Sequence, residues 1–224
     1  MSSYFYLSPQ DQPTDNHLIG VTHRHPPYYT LKSRYTELVC SACSKFDYDV
    51  VFNEGFDADI EIHAKGNFFQ STDGFYCFDD KFRSLIERFQ IGGLAIQPLS
   101  DSGWHVCNIR RRVDGDRTVY TVHKPFCGQC GRPKGGVTGL VQFESDIKPP
   151  TEESLFFGLT FDRQGYNGDR DLFATEDVVI KMKEAGLRGL TCFKLLEGAD
   201  AAKLRLAIEQ KEKFKWPKGA RVIL

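Results

Sequence analysis

The 224-residue sequence predicts an α+β fold built of two related halves, each with a strand-helix-strand unit. Two observations carry this expectation. "YCFDDKFRSLIERFQIGGLAIQPL" (76–99) can be laid over "LFATEDVVIKMKEAGLRGLTCFKL" (172–195) at an offset of 96, so that Gly93 meets Gly189, Ile91 meets Leu187, Ile86 meets Met182 and Phe82 meets Val178. A C-x-x-C pair also precedes each copy: Cys40 and Cys43 in the first half, Cys127 and Cys130 in the second, 87 residues later. The length suits one domain over 1–224, since compact domains hold roughly 100–200 residues.

Along the chain, the first forty residues mix Pro, Tyr and His in "THRHPPYYTL" without a period, and are expected as loop with one early strand. In "DADIEIHAKGNFF", Ile60, Ile62 and Ala64 alternate, as on a strand with one buried face. Phe82, Leu85, Ile86 and Phe89 then recur at i, i+3, i+4 and i+7, the apolar stripe of a helix. Asp79 or Asp80 can accept from its first amides, and Gly92-Gly93 should stop it. "WHVCNIRRRVDGDRTVYTVHKPF" predicts two strands around a tight turn at Asp114-Gly115. In the second copy Thr175 is the expected cap, Glu176 and Asp177 suit the positive end of the helix dipole, and Gly186 ends the helix. A third helix is expected over 201–214, with Asp200 at its start and Ala201, Leu204 and Ile208 inward. "KWPKGARVIL" closes as a strand.

Composition narrows the function. Apolar residues make up 41% and charged residues 26%, the profile of an ordinary globule. Lys plus Arg number 29 against 30 Asp plus Glu, a net charge of -1, which removes the overall positive field of non-specific nucleic-acid binders. The start lacks a basic segment followed by an apolar run, and no stretch approaches the roughly 20 apolar residues that span a bilayer. A cytoplasmic chain with no membrane partner is expected. Seven cysteines, four of them in C-x-x-C pairs, read as reduced thiols, because secreted disulfide frameworks favour even counts at wider spacing.

The two pairs suit one tetrahedral Cys₄ site for a structural Zn²⁺ ion, zinc-ribbon-like, with Cys40, Cys43, Cys127 and Cys130 as ligands and each half donating two thiolates. Gly128 and Gly131 suit a tight second knuckle whose amides point at sulfur. Four thiolates leave no open coordination position, so catalysis at the metal is not expected. Unmetallated thiols and a redox role are the alternatives; the latter needs a low-pKa thiol at a helix start, and neither pair directly precedes a helical pattern. Cys77, Cys107 and Cys192 are expected as core packing.

Other candidates are weaker. "HRH" at 23–25 has no third ligand nearby, and His63, His105 and His123 alternate with apolar residues on expected strands. No Ser-His-Asp order, P-loop or G-x-G-x-x-G occurs, and "GRPKGG" lacks the Ser or Thr and the helix that a P-loop needs. Arg110, Arg111 and Arg112 with Lys124, Arg132 and Lys134 could form a basic strip, the basis of an alternative reading as a zinc-ribbon nucleic-acid-binding regulator, though Asp114 and Asp116 dilute it. Asp57, Asp59, Glu61, Asp162, Asp169 and Asp171 could face a basic partner; for any one of them a solvated position is the plainer reading.

"CSAC" at 40, "CGQCG" at 127 and "DLFATEDVVIKMKEAGLRGLTCFKL" from 171 to 195 together resemble the bacterial double-CXXCG-motif family, related to immunity proteins of polymorphic toxin systems. The similarity spans about residues 35 to 196, and Ser44 stands where the family usually has glycine. The resemblance implies an antitoxin that blocks a cognate effector, often a nuclease, by protein-protein contact and without enzymatic activity of its own.

Overall fold

The computed structural model describes residues 3–10, 17–24, 27–57, 60, 62–99, 102–114, 120–122, 126–131, 137–139, 150–160 and 171–224. Both copies of the repeat form the expected units. The first is β5 (Tyr76–Asp79), α2 (Asp80–Phe89) and β6 (Leu94–Leu99); the second is β12 (Leu172–Thr175), α3 (Glu176–Glu184) and β13 (Leu190–Lys194). Ahead of the first lie β1 (Tyr4–Pro9), the hairpin β2 (Gly20–Arg24) and β3 (Pro27–Leu31), a 3₁₀ turn (Ser33–Leu38), α1 (Tyr48–Glu54) and β4 (Phe68–Gln70). Between the copies lie β7 (Trp104–Ile109), β8 (Arg112–Asp114), β9 (Tyr120–Val122), β10 (Val137–Gly139) and β11 (Phe156–Thr160). Helix α4 (Gly198–Glu209) and β14 (Arg221–Ile223) follow.

The main sheets are β4-β5-β7-β6 and β14-β13-β1-β12-β11-β8. Within the second, β11-β12-β1-β13 repeats the order of the first, and the register repeats with it. Cys107 of β7 lies between Tyr76 and Ile96; Leu7 of β1 lies between Leu172 and Cys192, which are the same two positions 96 residues on. β1 therefore plays in the second half the part that β7 plays in the first. The two halves share one strand order, with the strand equivalent to β7 supplied by the N-terminal segment.

The sheets and helices share a core in which Phe82, Leu85 and Ile86 of α2 and Val178, Val179 and Met182 of α3 meet Phe5, Leu7, Phe68 and Phe156. Fully burying each such side chain stabilises by roughly 1.5–3 kcal/mol. A second cluster in the first half gathers Leu18, Tyr35, Phe52, Phe69, Phe75 and Val106. There the Leu18 and Ile19 amides donate to the buried Asp73 carboxylate, fixing the entry to β2.

The aligned glycines hold the halves together. Gly93 and Gly189 have φ of +94° and +101°, and each brings its backbone against the other half. A Cβ would sit 1.7 Å from the Phe156 carbonyl oxygen at Gly93 and 2.9 Å from that of Phe68 at Gly189. At the first junction the Gly92 amide donates to Ser154 O and the Phe156 amide to Gly92 O; at the second the Asn67 amide donates to Arg188 O.

Several expectations are corrected. The N-terminal forty residues hold three strands and a 3₁₀ turn rather than mostly loop. Ile60, Ile62 and Ala64 pack on the second cluster without joining a sheet, so their alternation reports burial alone. Gly115 of the expected turn lies outside the described residues; among the described residues the flanking strands pair elsewhere, β8 parallel to β11 and β9 with β10. Val113, buried with Leu155 and Phe157, draws β8 to the second sheet. α2 stops at Gln90, left-handed at φ +50°, ahead of the glycine pair. Asp79 caps α2, but Thr175 makes no cap bond, because its hydroxyl accepts from the Leu155 amide and donates to Glu153 O. α4 starts at Gly198 and buries Ala207, leaving Ile208 exposed.

Candidate metal centre

Two short loops build the site in the same way. In the first, Val39 bridges Phe46, the Cys40 amide donates to Lys45 O, and the Ser44 amide returns to Cys40 O at 2.8 Å. In the second, the Gly131 amide returns to Cys127 O at 2.8 Å. Ser44 and Gly131 are 87 residues apart, the spacing of the cysteines, and both lie in the left-handed region at φ +57° and +70°. Ser44 thus takes the conformation that Gly131 takes in the second loop, at a backbone cost of roughly 1–2 kcal/mol.

The loops bring the four predicted cysteines together. Cys40 Sγ is 3.8 Å from Cys127 Sγ, Cys43 Sγ is 3.5 Å from Cys130 Sγ, and all four sulfurs lie within 4.8 Å of one another. Bonds of about 2.3 Å to a tetrahedral ion would place the sulfurs about 3.8 Å apart, so the set can hold a metal ion. None of the pairs is at the roughly 2.05 Å of a disulfide, and all four thiols are free. Cys127 is buried and the other three are half-buried. Ser41 Oγ donates to Gln129 Oε1 across the two loops.

The backbone sorts the thiols. The Cys130 and Gln129 amides pull the Cys127 thiol down to about 6, whereas burial pushes Cys43 up to about 12 against the opposing Lys45 amide. Cys77, Cys107 and Cys192 are buried in the two sheets, and burial raises all three thiols, Cys192 to about 12. They pack as expected and take no part in the cluster.

The acidic candidates divide. Asp57 is already matched, with Lys32 Nζ at 2.9 Å and Arg34 at 3.4 Å; the Lys32 hydrogen bond foremost holds its carboxyl below the usual range. Asp171 immediately precedes β12, where its charge adds to burial in raising the Tyr6 and Tyr76 phenols. Asp59, Glu61, Asp162 and Asp169 lie outside the described residues. Of the basic strip, Arg110 donates to Asn53, Arg111 pairs with Glu152 and Arg112 with Asp49, while Lys124, Arg132 and Lys134 lie outside the described residues. Among the histidines, His105 is buried with Nε2 2.7 Å from Asp80, and His25 and His123 lie outside the described residues.

Among the described residues no helix is long and apolar enough to cross a membrane. No family model matches the chain, and no curated protein matches it. The likeness to double-CXXCG proteins rests on the motifs themselves.

Proposed function

We propose that the protein is an immunity protein, a scaffold closed by a structural Zn²⁺ ion that neutralises a cognate toxin effector by protein-protein binding. One observation carries the reading: two equivalent loops, one from each half, converge four sulfurs to within 4.8 Å. An all-thiolate tetrahedral set suits zinc and fills every coordination position, so its contribution is shape and not reaction. Structural zinc in small peptides is worth on the order of 10 kcal/mol, enough to fix the relative placement of the two halves. The same four cysteines carry the family resemblance, and with it the expectation of a toxin partner and a cytoplasmic setting. A nuclease is one such partner; among the described acidic candidates Asp57 is already matched by Lys32 and Arg34 and Asp171 is half-buried, so they do not define the surface it would meet.

The alternative, a nucleic-acid-binding regulator, is weakened by the pairing of Arg110, Arg111 and Arg112 with Asn53, Glu152 and Asp49. Co-expression with the product of a neighbouring toxin gene tests the reading. Wild type should restore growth and carry one zinc per chain by elemental analysis, and Cys127→Ser should lose both. Salt-dependent DNA or RNA binding by the purified protein, without rescue, would favour the alternative.

A further inference from the structure

We propose that the segment from α4 to β14 is a docking face for a protein partner that presents acidic side chains around an apolar patch. The inference rests on the protein-binding reading above and assigns it a surface.

Charge is segregated along the chain. Residues 203–221 hold seven Lys and Arg against two Glu, a local +5, so the remainder of a chain of net -1 carries -6. All seven cations are exposed. Elsewhere Lys32, Arg34, Arg83, Arg111, Arg112 and Lys181 are paired with carboxylates. Among the described residues Lys211, Lys213, Lys215 and Lys218 form no ion pair. Four cations within eight residues, with Glu212 the one acidic residue among them, repel one another, a cost that a carboxylate-bearing partner lowers.

The apolar surface points the same way. α4 satisfies the core with Ala201, Leu204 and Ala207, yet Leu206 and Ile208 also point outward, 51% and 44% exposed, and Ile223 of β14 is 62% exposed. Nothing in the packing of the fold requires aliphatic groups there. Exposed apolar groups interspersed with cations along one segment of the chain suit an interface. A cleft of about 360 Å³ lies between the start of α4 and residues 217–220, with room for an apolar anchoring side chain. It is lined in part by Leu195, Leu196, Pro217 and Lys218 and also by Glu197 and by Asp200, which Lys203 pairs.

The face is also pre-shaped, because the Lys194 amide donates to Ala220 O, the Leu224 amide to Leu190 O and the Gly189 amide to Leu224 O. Nucleic acid fits it less well. Bases stack on open aromatic rings, whereas here Trp216 packs on Phe214 and Phe193 at 5.2 and 5.0 Å and Arg221 covers Phe193, leaving aliphatic groups outermost.

The test uses the full chain and three probes: the product of the neighbouring toxin gene, a labelled peptide of alternating Glu-Glu and Leu-Leu, and a single-stranded oligonucleotide. Wild type is compared with K211E/K213E/K215E/K218E and with L206S/I208S, each first checked for an unchanged melt. The expected result is that both variants lose about tenfold or more in affinity for the gene product, the charge variant through slower association that salt mimics. The peptide should follow the same order. Variants within about twofold of wild type on a gene product that wild type binds would overturn the docking face and leave the immunity reading intact. If the gene product does not bind wild type, the immunity reading fails; the peptide then decides the face, which is overturned if the peptide fails to bind or if the oligonucleotide binds more tightly.

Discussion

Replacing Gly93 with alanine tests the junction between the halves most directly. Its φ of +94° lies where side chains are strained, worth roughly 1–3 kcal/mol. The new Cβ would also fall 1.7 Å from the Phe156 carbonyl oxygen, and that oxygen belongs to backbone that cannot swing aside alone. Relief requires β11 to withdraw, which breaks the bonds between Gly92 and Ser154 and between Phe156 and Gly92, each worth about 1 kcal/mol. Withdrawal also opens the Phe82–Phe156 ring contact at 5.8 Å. The total is about 4–6 kcal/mol, against the roughly 5–15 kcal/mol that holds a domain folded. Gly189→Ala, with its nearest contact at 2.9 Å, should cost less, about 2–4 kcal/mol. Gly219→Ala keeps a positive φ of +80° but meets nothing within 4 Å, and should cost about 1 kcal/mol. Urea unfolding followed by tryptophan fluorescence measures all three. A Gly93→Ala midpoint close to that of Gly219→Ala would refute the close approach of the two halves.

Ser44→Gly should stabilise by about 1 kcal/mol, seen as a higher melt and slower loss of metal to a chelator, because it relieves the left-handed backbone without touching a thiol. Stripping the metal should lower the melting temperature by about 10 °C or more, with recovery on adding Zn²⁺; an unchanged melt would show that the cluster does not support the fold. Leu7→Ala should cost about 2–5 kcal/mol despite lying near the chain start, since Leu7 is fully buried between β12 and β13. Acid should weaken the fold through Asp57 and Asp177, whose carboxyls Lys32 and Lys181 hold below the ordinary range. Their contribution is present above the unfolded value near pH 4 and is lost as pH falls through the lower folded values. Asp57→Asn should therefore flatten the acid limb of a stability-pH curve.

What could be read from the sequence was what repeats. Gly93 with Gly189 and Ile86 with Met182 are demanded twice by the same local geometry, so the units showed as an offset, and the cysteine pairs showed as a second offset. The unread parts depend on distant partners. β1 pairs with strands more than 160 residues away, and nothing in "YFYLSP" announces them. The pairing of β8 with β11 follows the burial of Val113, a contact with no local mark. Thr175 reads as a cap because capping is local, yet Leu155 and Glu153, just ahead of β11, claim its hydroxyl first. The matching of Asp57 with Lys32 likewise joins residues that no period connects.

The placement of β1 sets the order in which the chain can fold as it leaves the ribosome. Residues 68–109 can assemble the first sheet once they emerge, whereas the second cannot close around β1 until β13, ending at Lys194, has been made. Throughout that interval Phe5 and Leu7 have no native seat, and the edges of the finished sheet offer a wrong one. Nascent chains should thus draw on chaperones early, and slow translation between the halves should raise the yield of misassembled protein.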